Sequence, residues 1–141
     1  MIIEERMKRS VAKRKDDVFI RGDFAKLGSE AQVTRALRRL VLNGTIVKLG
    51  VGVYAKAKKS VLSGRAIPIK PIGVLAPLAL RKMGVKVYPS QLTREYNAGT
   101  TTQIPAGNIL NTGSRRINRK LSFGNQIIVY EKDNRESGRA H

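Results

Sequence analysis

The chain has 141 residues, and its 28 Lys and Arg against 10 Asp and Glu give a net charge of +18 and a sequence pI near 11.0; so large an imbalance points to a polyanionic partner, with nucleic acid favoured. The absence of cysteine excludes a disulfide framework, a thiol nucleophile and a Cys-based zinc site. The only histidine, His141, stands at the last position, so Ser-His-Asp and His-ligand constellations are excluded as well.

Ile3, Met7 and Val11 recur at i, i+4, i+8 among charged residues, which predicts an amphipathic helix over 2–14. Glu4 and Glu5 early and Lys13 and Arg14 late suit its dipole. Lys8-Arg9 and Lys13-Arg14-Lys15 are read either as phosphate contacts or as a solvated helix face. Asp16-Asp17 breaks the pattern, and Val18-Phe19-Ile20 is a short apolar run suited to a strand pairing with a later hairpin. Arg21-Gly22-Asp23 turns the chain, and Phe24, Ala25 and Leu27 suit a short second helix closed by Gly28.

Residues 29–42 then predict a capped basic helix. Ser29 is the N-cap, and Gln32 can reach back to its amide as a capping box requires. Val33, Leu37, Leu40 and Val41 form the apolar stripe, while Gln32, Arg35 and Arg39 share a polar face flanked by Thr34 and Arg38. Asn43-Gly44 stops the helix. Ile46-Val47 and Val53-Tyr54 flank a Gly50-Val51-Gly52 turn as the strands of a hairpin. Short helix, tight turn, longer basic helix and hairpin make a winged helix-turn-helix. Arg can pair with guanine and Gln with adenine in a major groove, so the expected DNA-binding residues are Ser29, Gln32, Thr34, Arg35, Arg38 and Arg39. Lys48, Lys56 and Lys58 join them from the wing.

Residues 55–60 are polar and cationic, and Ser63-Gly64-Arg65 with Pro68 and Pro71 reads as a connection. The domain boundary is drawn near residue 65, giving a winged-helix domain over 1–65 and an α+β C-terminal lobe over 66–131. Ile72–Met83 is the most apolar stretch and predicts a buried helix closed by Gly84, kinked by Pro77 unless it begins close to that residue. Strand-like runs follow at Lys86-Val87-Tyr88, Gln103-Ile104, Asn108-Ile109-Leu110 and Gln126–Tyr130, so the lobe is expected to be a small sheet with one helix on it. Residues 132–141 carry no apolar pattern and are expected to be disordered.

Residues 1–60 hold 15 basic and 6 acidic side chains and residues 61–141 hold 13 and 4, so each part carries +9 and the charge is not a detachable tail. Arg115, Arg116, Arg119 and Lys120 form a second basic cluster, suited to phosphate or to an acidic partner protein. No convergent carboxylates and no phosphate-cradling Gly-Lys-Ser/Thr loop are visible, so the expectation is a non-enzyme with no cofactor and no metal. No run reaches the roughly 18 apolar residues of a membrane span and no signal peptide is recognisable; a soluble cytoplasmic protein is expected, without membrane association.

Val18–Ala25, the Gln32–Leu40 helix and Gly44 through Tyr54 resemble the AbiEi-like antitoxins of type IV toxin–antitoxin systems. Tyr96-Asn97-Ala98-Gly99-Thr100-Thr101-Thr102-Gln103-Ile104-Pro105 and the Arg115-Arg116 segment are similar to their C-terminal portion, and the likeness spans roughly residues 15–131. The resemblance implies a repressor of its own promoter that binds double-stranded DNA at inverted repeats, and a C-terminal domain that counters a nucleotidyltransferase-like toxin encoded next to it. An RNA-binding or ribosome-associated protein, and a toxin-neutralising module without a DNA role, are the alternatives.

Overall fold

In the computed structural model, which describes residues 3–88, 95, 97–99, 109–113, 117 and 119–131, helices and mostly antiparallel strands alternate in an α+β arrangement. The chain divides into two compact units, Met1–Pro71 and Ile72–His141.

The first unit opens with α1, Ile3–Lys13, which buries Met7 and Val11 as the spacing predicts. β1, Val18–Ile20, follows. The next segment differs from expectation: Arg21–Leu27 is a single 3₁₀ helix, so Arg21-Gly22-Asp23 belongs to it rather than preceding it as a turn. Seven residues is long for this tighter helix. Its start is held by Asp23 Oδ2, which accepts from the Ile20 amide at 3.0 Å, and its middle by buried Phe24, whose ring lies 5.8 Å from that of Phe19.

α2, Glu30–Leu42, has Ser29 as its N-cap. It ends in a Schellman motif: the Gly44 amide donates to Val41 at 3.2 Å, the Thr45 amide donates to Leu40 at 2.9 Å, and Gly44 takes the positive φ of 80° that a glycine tolerates. β2, Ile46–Gly50, and β3, Val53–Lys59, then form the hairpin around Val51-Gly52, with an irregular register between Lys48 and Gly50. β3 lies between β1 and β2, antiparallel to both, with Phe19 opposite Tyr54 and Val47 opposite Ala55. Met7, Val11, Phe19, Phe24, Val33, Ala36, Leu37, Leu40, Ile46 and Tyr54 form one core cluster. Every member precedes residue 60, so the helices and the sheet of this unit share a core of their own.

Part of the connection expected from Ser63 to Pro71 is instead a strand. β3 runs on to Lys59 and pairs with β4, Ala66–Pro68, across a tight turn, with Ala57 opposite Pro68 and Lys59 opposite Ala66. The first unit therefore continues past residue 65 to Pro71. At the turn Val61 and Leu62 are fully exposed, while the Ser60 hydroxyl accepts from the amides of Leu62 and Ser63.

In the second unit α3, Ile72–Lys82, is continuous through Pro77 and buries Ile72, Leu75, Ala76, Ala79 and Leu80. Proline leaves the Gly73 carbonyl without its helical donor. Among the described residues the strands form two separate pairs rather than one sheet. β5, Ile109–Asn111, runs parallel to β8, Val129–Glu131, and β6, Ser122–Phe123, pairs with β7, Gln126–Ile127, as a hairpin. Among the described residues, Lys86-Val87-Tyr88 contributes only a bridge from Tyr88 to Asn111. Buried Asn111 is held by the Gly113 amide, which donates to its Oδ1 at 2.7 Å, and by its own Nδ2, which donates to Glu131 at 3.3 Å. The strand expected at Gln103-Ile104 and the tail over 132–141 lie outside the described residues. No described helix is long and apolar enough to cross a membrane.

Candidate nucleic-acid interface

The exposed side of α2 is set by which residues its core claims. Val33, Ala36, Leu37 and Leu40 are buried, so Ala36 takes the place in the stripe that the spacing assigned to Val41, which is half-buried at its edge. At about 100° per residue, the direction opposite this stripe passes through Ala31, Arg35, Arg38 and Leu42, all exposed. Arg35 and Arg38 therefore occupy the centre of the outward face. Gln32 and Arg39 lie on one flank, where with Arg35 and Ala36 they line a hollow of about 230 Å3 against Ile3 and Glu4 of α1. Thr34, half-buried, lies on the other.

Gln32 carries a second task. Its Oε1 accepts from the Ser29 amide at 3.0 Å, while its own amide donates to Ser29 Oγ at 3.2 Å. A bidentate contact to adenine needs both ends of the side-chain amide, and one end is engaged in the cap. Ser29 is likewise engaged through its hydroxyl. Arg39 stands 3.9 Å from Glu4 with its side chain 69% exposed, an ion pair too long and too wet to immobilise it.

The wing side is built on Arg21, a residue the spacing did not single out. Its amide donates to Gly52 in the hairpin turn at 2.9 Å, and its guanidinium donates to the Glu30 carbonyl at 2.8 Å, tying the turn to the first turn of α2. The charges of Arg21 and Arg38 both reach the Tyr54 phenol. Lys48 is exposed, and because it pairs with Tyr54 it leaves the sheet on the helix-facing side. Arg21, Arg38 and Lys48 thus gather around Tyr54 as one cationic edge.

Two expected wing residues are placed elsewhere. Lys56 Nζ donates to the Arg14 carbonyl at 2.6 Å, so it closes the C-terminal end of α1, where a cation suits the helix dipole, and is not a free contact. Lys58 is exposed but belongs to the part of β3 that pairs with β4, roughly 17 Å of strand from the hairpin turn. In the second unit Arg119 and Lys120 are exposed, and Arg115 and Arg116 lie outside the described residues.

A family model described as a family of unknown function (DUF6088) matches residues 2–137. No curated protein and no solved structure matches the chain.

Proposed function

We propose that this chain, which belongs to the DUF6088 family, a family of unknown function, is a sequence-specific binder of double-stranded DNA that reads its site with α2. One observation carries the reading: a capped helix presents Arg35 and Arg38 at the centre of its outward face, and Arg21 couples its first turn to the β2–β3 hairpin. Order and placement together support a winged-helix reading, in which the first turns of the second helix of the motif enter the major groove while the hairpin lies along the neighbouring backbone. Arg35 and Arg38 are the base-reading residues, exposed Ala31 suits a thymine methyl, and Lys48 with Arg21 supplies backbone contacts.

The resemblance to AbiEi-like antitoxins supplies the setting for the proposal: the site lies upstream of the chain's own gene, and the second unit opposes a nucleotidyltransferase-like toxin from the adjacent gene. Titration of the full chain with duplex from upstream of its gene, with random duplex of equal length and with single-stranded RNA, all at one salt concentration, tests the DNA reading. Preference for the first is expected, and Arg35→Ala should weaken that binding by about 1–3 kcal/mol while sparing the random duplex. Equal losses on both duplexes would reduce Arg35 to a phosphate contact, and tighter binding to RNA would overturn the reading.

A further inference from the structure

A second hollow lies on the flank of α1 away from Glu4. It measures about 530 Å3 and is lined by Arg6, Arg9, Ser10, Lys13, Arg14 and Leu27. We propose that this hollow holds the phosphodiester backbone of the duplex that α2 reads. The proposal rests on the DNA reading above and adds to it a strand-binding track on a different helix.

Its lining contrasts with that of the hollow beside α2. There the carboxylate of Glu4 lines the hollow beside Arg35 and Arg39, 3.9 Å from the latter, so the lining mixes both signs. Here, among the described residues, no carboxylate lines the hollow and no ion pair involves Arg6, Arg9 or Lys13. A helix face that only keeps a protein soluble mixes both signs, as Glu4, Glu5 and Lys8 do elsewhere on α1. A shallow, open face of one sign instead raises the local potential and draws in a polyanion.

One wall of the hollow is also held in place. Arg14 is half-buried: its Nε donates to Ser10 Oγ at 3.3 Å, its terminal nitrogen donates to the Asp23 carbonyl at 3.2 Å, and its guanidinium lies 5.8 Å from the centre of the Phe24 ring. It stands as a fixed charge while Arg6, Arg9 and Lys13 remain exposed. These three recur at i, i+3, i+7 and so line one side of the helix over about 10.5 Å, a length equal to roughly three base-pair rises of 3.4 Å along the duplex axis. Leu27 joins the hollow to Gly28 and the Ser29 cap, so the track leads to the end of α2 that the DNA reading places in the groove.

The test is the salt dependence of binding by the full chain to the upstream duplex and to random duplex of equal length, with single-stranded RNA as a further probe. The triple variant Arg6→Ala, Arg9→Ala, Lys13→Ala is compared with Lys8→Ala, Arg81→Ala, Lys86→Ala, which removes the same charge from exposed positions outside the hollow. The first should make the slope of log affinity against log salt shallower by between two and three on both duplexes, at about 0.9 for each phosphate no longer neutralised, and leave the preference between them unchanged. The second should change it by less than one. Equal changes in the two variants would overturn the track, because the effect would then follow net charge alone; a loss confined to RNA would overturn the duplex as its occupant. Arg6→Lys with Arg9→Lys should keep the wild-type slope, which separates the removal of charge from a failure to fold. Absence of sequence preference in the wild type would defeat recognition by α2 and leave the slope comparison decisive for the hollow.

Discussion

Gly28 has an extended backbone, φ 172°, so a glycine is required there by space and not by a left-handed turn. A Cβ at this position would stand 2.6 Å from Gln32 Oε1 and 2.7 Å from Ile3 Cδ1, both of them ends of side chains that can move. Gly28→Ala should therefore dislodge Gln32 from the cap at a cost near the ~1 kcal/mol of a helix cap. In a Gln32→Ala background the same change should cost less, since the displacement of Ile3 Cδ1 is all that opposes it and the lowered entropy of the unfolded chain, about 0.4–1 kcal/mol, acts in its favour; denaturant titration of the four proteins measures the coupling. The cap itself was legible in the sequence because Ser29 and Gln32 are local. The destination of Lys56 was not, because the Arg14 carbonyl it closes is 42 residues away. Tyr54 was legible only as a strand residue. Burial pushes its phenol above the ordinary value of 10.0, and the charges of Arg21 and Arg38 offset part of that rise. A group whose pKa is raised by folding gives stability that is complete below the unfolded value and is lost as pH climbs through the folded one. The thermal midpoint should accordingly fall above pH 10, and Tyr54→Phe should flatten part of that fall. Tyr130, raised by burial and offset by Arg119, acts in the same direction, so Tyr54→Phe with Tyr130→Phe should be flatter still.

At the scale of elements, α2 was the most legible because cap, stripe and stop all fall within one run of sequence; the cap and the stop are realised, and the stripe is realised with Ala36 in place of Val41. The centre of its outward face was harder to see. Reading Gln32, Arg35 and Arg39 as one side was right for their common direction, but the stripe is centred between Ala36 and Leu37, and this turns Arg38 outward with Arg35. Leu37, fully buried mid-stripe, should cost about 2–5 kcal/mol when replaced by alanine. An unchanged midpoint on denaturant unfolding would mean that the buried face is misassigned. β3 shows the opposite case. Its second half, Lys56-Ala57-Lys58-Lys59, is poor in the β-branched and aromatic residues that announce a strand, and it is held by pairing with β4 across the intervening turn. Local composition therefore showed only a polar, cationic stretch where tertiary pairing extends a strand.

At the scale of the molecule, the positive charge is shared unequally once the units are drawn as the fold draws them. Residues 1–71 hold 17 basic and 6 acidic side chains, a net +11, and residues 72–141 hold 11 and 4, a net +7. The core cluster lies wholly within the first unit, and a domain of about this size can fold alone when its core is complete. A fragment of residues 1–71 is therefore expected to unfold cooperatively. A fragment ending at 65 should be less stable, because it lacks β4 and the pairing of that strand along β3. The 1–71 fragment should keep the sequence preference of the full chain, since α2, Arg21 and the β2–β3 turn are all present. It should bind more weakly, with a slope against salt shallower by about 0.9 for each phosphate that the cations of the second unit neutralise. Titration of full-length protein and fragment on one upstream duplex and one random duplex, over a range of salt, reads both quantities together. An unchanged slope would assign Arg119 and Lys120 to a protein partner and not to DNA, and the fragment would then bind DNA as well as the full chain while giving no protection from a toxin. A folded fragment without sequence preference would show that α2 and the edge around Tyr54 are not sufficient for recognition, and would move part of the reading surface into the second unit.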